Sequence, residues 1–321
     1  MKRKIIQIAD STQLVSLPRK WAQKYNLKKG DEIDVIEDGS RIIIGTDNSL
    51  NTGSIKVDIT GLDRTTAIYY IQLIYRRGYD EVHINYGTPK AKHLRLDKDI
   101  ITLAVIQKAL NRLPGFELIQ QKDDYCLIKN LQENSIKEFD TAIRRVFLIL
   151  AEAYDNFIAG VKSNNIHLVE SIEINNKTIA RFINYCLRLL NKKGLNTGID
   201  SVVMYNILSN LDKIMDILKY TARDFLAYGK PIRKETSAIF EMVNNSIQIY
   251  HSYFFAYDIK KVSQLYKNRD DTIKKIKASL KKLPAEEVSL IVDFEHALEI
   301  LVENTINRIS LETHPTIVSN S

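Results

Sequence analysis

The sequence predicts a multidomain α+β chain: a short β-rich N-terminal head, a small α/β connector and a C-terminal all-α body of two tandem three-helix bundles. Three observations predict it. At 321 residues the chain is too long for one module, since a domain takes roughly 100–200 residues. Eight of the twelve glycines precede residue 131, so turn-rich structure gives way to long helices. The charge is also uneven. Residues 1–30 hold eight basic side chains against Asp10 alone, while the rest holds 38 basic and 38 acidic, so the whole excess of +7 sits in the first thirty residues. The boundaries follow as 1–47, 48–131, 132–229, 230–312 and a tail at 313–321.

A composition of 45% hydrophobic and 26% charged residues supports a packed core and excludes a disordered chain. No run approaches the length of a membrane span, and the apolar stretch Ile5–Ile8 is too short for a signal peptide. A cytoplasmic protein without membrane insertion is expected. Cys126 and Cys186 have no cysteine or histidine cluster near them and read as buried thiols.

In the head, Lys4 to Ala9 and Gln13 to Leu17 are β-compatible runs, and Pro18 suits the first position of a helix over Arg19 to Tyr25. Lys29-Gly30-Asp31 turns the chain. Glu32 to Glu37 alternates as a strand, Asp38-Gly39 signals a two-residue hairpin, and Arg41 to Gly45 returns. A unit of about 46 residues buries little surface alone and should dimerise or lean on a neighbour. Clustered Lys and Arg neutralise phosphates, so a polyanion is the expected ligand, nucleic acid before membrane. A solvated basic face on a dimerisation module is the plain alternative.

The run Val15-Ser16-Leu17-Pro18-Arg19-Lys20-Trp21-Ala22, followed by Leu27-Lys28-Lys29-Gly30-Asp31, Gly39 and Ile42-Ile43-Ile44, resembles the AbrB/MazE/SpoVT swapped-hairpin DNA-binding domain over residues 2–46. The resemblance implies an intertwined homodimer, with Arg3, Lys4, Arg19, Lys20 and Lys24 facing DNA. A dimeric head implies an operator of two-fold related half-sites.

In the connector, Ile55, Val57 and Ile59 alternate as a strand, Thr65 to Arg76 reads as a helix with Ile68, Ile71, Gln72 and Tyr75 down one side, and Glu81 to Asn85 as a strand. The spacing predicts a second helix over Leu96 to Leu113, ended by Pro114-Gly115, then a hairpin of Phe116–Gln121 with Tyr125–Lys129. Tyr69, Tyr70, Tyr75 and Tyr79 read as core and interface rather than a ligand box. No glycine loop, HExxH or GxSxG motif occurs, and this segment reads as a dimer or ligand domain.

The body reads as helices near 136–162, 165–193, 199–228, 231–258, 259–282 and 285–311. Thr178–Phe182 aligns with Thr272–Ile276, and Leu211–Leu218 with Phe294–Leu301, which makes two repeated halves. The third helix of each half carries acids four residues apart, Asp212 with Asp216 and Glu295 with Glu299; Glu303 extends the second stripe. That spacing sets like charges side by side on one helix face, which something must offset: a cation, a basic partner or water. Oxygen ligands on a helical bundle suit hard or borderline cations such as iron, manganese or another divalent ion.

Acids at the same place in both halves look like the acidic motifs of PhoU, the phosphate-uptake regulator family, over residues 136–312. With the head in front, the whole resembles the archaeal PhoU-type regulators with an N-terminal AbrB-like domain. The family's second acidic pattern is thinned, reading Asn176, Ile179, Ala180 in one half and Asp270, Ile273, Lys274 in the other. Glu170, Glu173 and Asp270 could partly compensate as ligands. What the resemblance implies is a regulator of phosphate uptake that binds operator DNA through its head and senses through metal or a partner such as a phosphate ABC transporter ATPase. The alternative is a dimeric adaptor that docks on the ATPase or a kinase without touching DNA. The six histidines are scattered and no triad can be drawn from spacing, so catalysis is not expected.

Overall fold

The computed structural model describes residues 2–8, 12–38, 41–45, 53–132, 138–193 and 200–313. The chain divides into two compact units, one up to Leu50 and one from Asn51 to Pro315.

The head pairs β1 (Ile6–Ile8) antiparallel with β2 (Thr12–Leu14), carries the short helix α1 (Arg19–Lys24), and pairs β3 (Asp34–Asp38) antiparallel with β4 (Arg41–Gly45). Pro18 is the residue before α1 rather than its first, with an extended ψ of 122° and its carbonyl accepting from Trp21 and Ala22. After α1 the turn is built by chemistry legible in the motif. Gly30 takes φ +99°, which a side chain would resist, and the Asp31 carboxylate accepts the Lys28 amide at 2.7 Å. Asp38 ends β3 opposite Arg41, while Gly39 lies outside the described residues. Ile5, Ile6, Ile8, Val35 and Ile42 of the head are all more than half exposed.

The second unit begins with a four-stranded sheet in the order β5-β6-β10-β9. Strands β5 (Ser54–Asp58) and β6 (Glu81–Asn85) are parallel and joined through α2 (Arg64–Arg76); β9 (Phe116–Gln121) and β10 (Tyr125–Asn130) form the hairpin that completes it. Asp63 caps α2, accepting from the Thr65 amide at 2.8 Å. The core gathers Ile71, Tyr75, Val82, Ile84, Ile106, Phe116 and Cys126. The expected helix over Leu96–Leu113 is corrected. Asp97 takes a left-handed φ of 42°, β8 (Lys98–Ile101) pairs with β7 (Lys90–His93), and only α3 (Thr102–Leu110) is helical. Cross-strand pairing such as Ala91 with Ile100 overrides the helical spacing.

The body runs α4 (Phe139–Ser163), α5 (Ile166–Lys193), α6 (Ser201–Tyr228), α7 (Lys234–Phe255), α8 (Ile259–Ser279) and α9 (Ala285–Thr313), in the two three-helix halves expected. Asp200 caps α6 through the Val202 and Val203 amides, and Gly229 ends it at φ 63°. One core fuses the halves: Phe240 of α7 stacks on Phe294 of α9 at 4.1 Å, and Phe157 of α4 lies 5.4 Å from Phe294. No helix among the described residues is long and apolar enough to cross a membrane.

Candidate functional site

Two sets of residues were expected to act, and the structure treats them differently. Arg3, Lys4, Arg19, Lys20 and Lys24 are all exposed, and none has an ion-pair partner among the described residues. Arg19 and Lys20 open α1, whose first turn holds no acid. Cations there oppose the helix dipole, so the dipole does not account for their place. Lys24 lies 5.4 Å from the Tyr25 ring, and Trp21 packs on the same ring at 5.4 Å. These contacts root the lysine on a small aromatic platform.

The carboxylate stripe of the first half faces the α/β domain. Asp212 accepts from Arg76 of α2 at 3.1 Å, and Arg76 also donates to Asn184 at 2.7 Å. Asp216 accepts from Asn176 at 3.0 Å and from Lys219, one turn along its own helix. Burial raises the Asp212 carboxyl above the ordinary aspartate range, with neighbouring Asp216 adding to it and Arg76 working against it. In the second half, Glu299 holds Arg269 by two bonds of 2.7 and 3.0 Å, and the same guanidinium reaches Asp270 at 3.0 Å. Glu295 is half-buried without an ion pair among the described residues, and Glu303 is exposed. Of the supplementary acids, Glu173 pairs with Arg223 at 2.6 Å and Glu170 with His167 at 3.3 Å.

These contacts bear on the expected metal face. The acids stand where the repeat puts them, but four of them, Asp212, Asp216, Glu299 and Asp270, are satisfied by basic side chains of this chain, and no three metal-binding side chains converge among the described residues. The offset that the like charges needed comes from Arg76, Lys219 and Arg269. The donor set does not fit a shared iron or manganese centre.

Sequence reasoning missed the seam that Arg76 belongs to. Arg188 of α5 is fully buried, donates to the carbonyls of Tyr75 and Tyr79 at 2.8 and 2.9 Å, and pairs with Asp80 at 2.5 Å. Its guanidinium lies over the Tyr75 ring at 4.7 Å, and Lys192 joins it on Asp80 at 2.7 Å. Asn184 donates to the Arg112 carbonyl at 3.0 Å, and Asn191 to that of Arg76 at 2.7 Å. These groups end α2 against α5 and make the α/β domain part of the first half. An arginine inside the apolar run Ile183–Leu190 was the available signal.

Comparison with known proteins bears on the head. Residues 6–48 match the family model described as antidote-toxin recognition MazE, bacterial antitoxin. No curated protein matches the chain. Among solved structures, the phosphate transport system regulatory protein PhoU from Streptococcus pneumoniae aligns with 55% of this chain and 94% of its own, at 13% identity and a TM-score of 0.40; likeness at that level decides nothing about function. The head is therefore similar to the MazE-type antitoxin domains, as the LPRxW and LxxGD motifs implied.

Proposed function

We propose that the protein is a homodimeric, non-catalytic DNA-binding regulator of phosphate uptake. One observation carries the DNA part: five cations of the head are exposed and have no ion-pair partner among the described residues, and they lie in the first thirty residues, which hold eight basic side chains against one acid. Similarity to a MazE-type domain supports it. Dimerisation is supported by the strands of the head, where Ile6, Ile8, Val35 and Ile42 stay exposed in a single chain and a second copy would cover them. The link to phosphate rests on the tandem acidic halves, whose pattern in the sequence resembles the PhoU family. The body serves as the sensing part, answering to a ligand or to a transporter ATPase or kinase.

Fluorescence anisotropy of the full chain on promoter DNA of phosphate-transport genes, run as a salt series, tests this. Binding is expected to weaken steeply with salt, and Arg19→Ala/Lys20→Ala to lower affinity and flatten the slope by up to about two counterions per head. Binding indifferent to salt and to both substitutions would leave the head as an assembly device. The search would then move to a docked ATPase or kinase, or to a toxin-like protein of the kind the MazE family recognises.

A further inference from the structure

Between the α/β domain and the first helical half lies a cleft of about 790 Å³, walled by α2, α3 and the turn at 94–96 on one side and by α5 and α6 on the other. That volume lies within the ~300–1,000 Å³ of small-molecule sites. Its walls carry seven Lys and Arg side chains against two carboxylates. Asp216 and Glu173 neutralise Lys219 and Arg223. The other five, Arg64, Arg95, Lys108, Arg112 and Lys177, have no carboxylate partner among the described residues.

A general basic surface does not account for this. Outside the head, residues 48–321 hold 37 basic and 32 acidic side chains, so five cations without a carboxylate partner in one concavity gather in one place as much positive charge as the whole excess of that part. They also repel one another. Burial first, then Arg64 and Arg112, push the Lys108 ammonium below its usual range, and Lys219 and Arg95 lower the Tyr220 hydroxyl against the effect of its burial. Such crowding costs stability unless an anion relieves it. The amides opening α2 are already taken by Asp63, so the attraction comes from side chains.

The cleft also has an apolar wall. Tyr69 is 60% and Leu96 57% exposed, and both line it. The Tyr220 ring is already faced by Lys219 at 4.3 Å and Arg95 at 5.2 Å, whereas Tyr69 has no ring or cation on it among the described residues. Of the tyrosines expected in core and interface, Tyr75 is buried in the core and Tyr69 stands outside it. Several unpaired cations beside a bare aromatic face match a ligand with several negative charges and a flat ring.

We propose that this cleft binds a nucleoside polyphosphate, its phosphates among Arg64, Arg95, Lys108, Arg112 and Lys177 and its base on the wall of Tyr69 and Leu96. The ligand would bridge the α/β domain and the first half. The inference rests on the cleft alone and does not depend on DNA binding by the head.

Calorimetry of the full chain with ATP, tripolyphosphate and adenosine, without added divalent cation, tests it. ATP is expected to bind, tripolyphosphate about ten-fold or more weakly, and adenosine weakest. Lys108→Ala/Lys177→Ala removes two exposed side chains and should weaken ATP about ten-fold or more at unchanged melting temperature, while Tyr69→Ala should bring ATP down to the tripolyphosphate level. Arg19→Ala/Lys20→Ala should bind ATP as the parent does, which separates the cleft from the head. The proposal is overturned if ATP fails to bind, if its affinity ignores Lys108 and Lys177, if the head variant abolishes it, or if tripolyphosphate binds as tightly as ATP.

Discussion

The two helical halves carry the same stripe and differ in what covers it. In the first, Asp212 and Asp216 are 25% and 26% exposed, and the cation on Asp212 arrives from another domain, on α2. In the second, Glu299 is 37% exposed and its cation, Arg269, belongs to α8 of the same half. Carrying the alignment of Thr178 with Thr272 along the helices puts buried Arg188 opposite exposed Lys282. A repeated unit thus keeps its core and reassigns its polar face. The first half spends that face on holding the α/β domain, and the second leaves it toward water.

Arg188 offers the largest test of that difference. Arg188→Ala removes the side-chain donor of the Tyr75 and Tyr79 carbonyls, leaves Asp80 to Lys192 alone and empties a fully buried site, and is expected to cost about 3–5 kcal/mol in urea unfolding. Lys282→Ala should stay within about 0.5 kcal/mol, as surface substitutions do. Equal costs would abolish the contrast between the halves.

A smaller effect is expected at the acids. Asp212→Ala strands Arg76 in the seam and should cost about 1–2 kcal/mol, while Glu295→Ala, without an ion pair to lose among the described residues, should cost about 0.5 kcal/mol or less. A double-mutant cycle of Asp212 with Arg76 sharpens this, since sites that do not interact give additive energies.

The smallest effect is a slope. Asp212 holds its proton more tightly in the fold than in the unfolded chain, where its value is 3.8; its contribution is therefore full below that pH and is lost as pH rises through the raised folded value. Asp212→Asn keeps an oxygen for Arg76 and removes the titration. Its stability should fall less steeply above pH 3.8 than the parent's, as followed by thermal melts across pH. An unchanged slope would assign the titration elsewhere.

How much of this was legible depended on whether the cause was local. The helices of the body announced themselves through apolar stripes cut at Gly229, at Pro284 and at the Ser163-Asn164 break, and the turn at Lys28–Asp31 through Gly30. The misread segment failed for a non-local reason: Leu96 and Ile100 keep helical spacing, but the ladder that claims Lys98–Ile101 comes from Lys90–His93. The site divided in the same way. The head cations could be read from composition, whereas the acids were found without their partners, because Arg76 stands 136 residues before Asp212 and only the fold joins them.

The exposed strands of the head carry one more consequence. On the dimer reading, a unit that leaves Ile6, Ile8, Val35 and Ile42 exposed when alone draws its stability from association, so its midpoint of unfolding rises with protein concentration while the body, with its own core, holds a fixed one. Cellular abundance then becomes an input. Halving the copy number thins the assembled heads more than proportionally when association is incomplete, and, on the proposed DNA-binding function, a shift in expression alone would change how much operator is occupied.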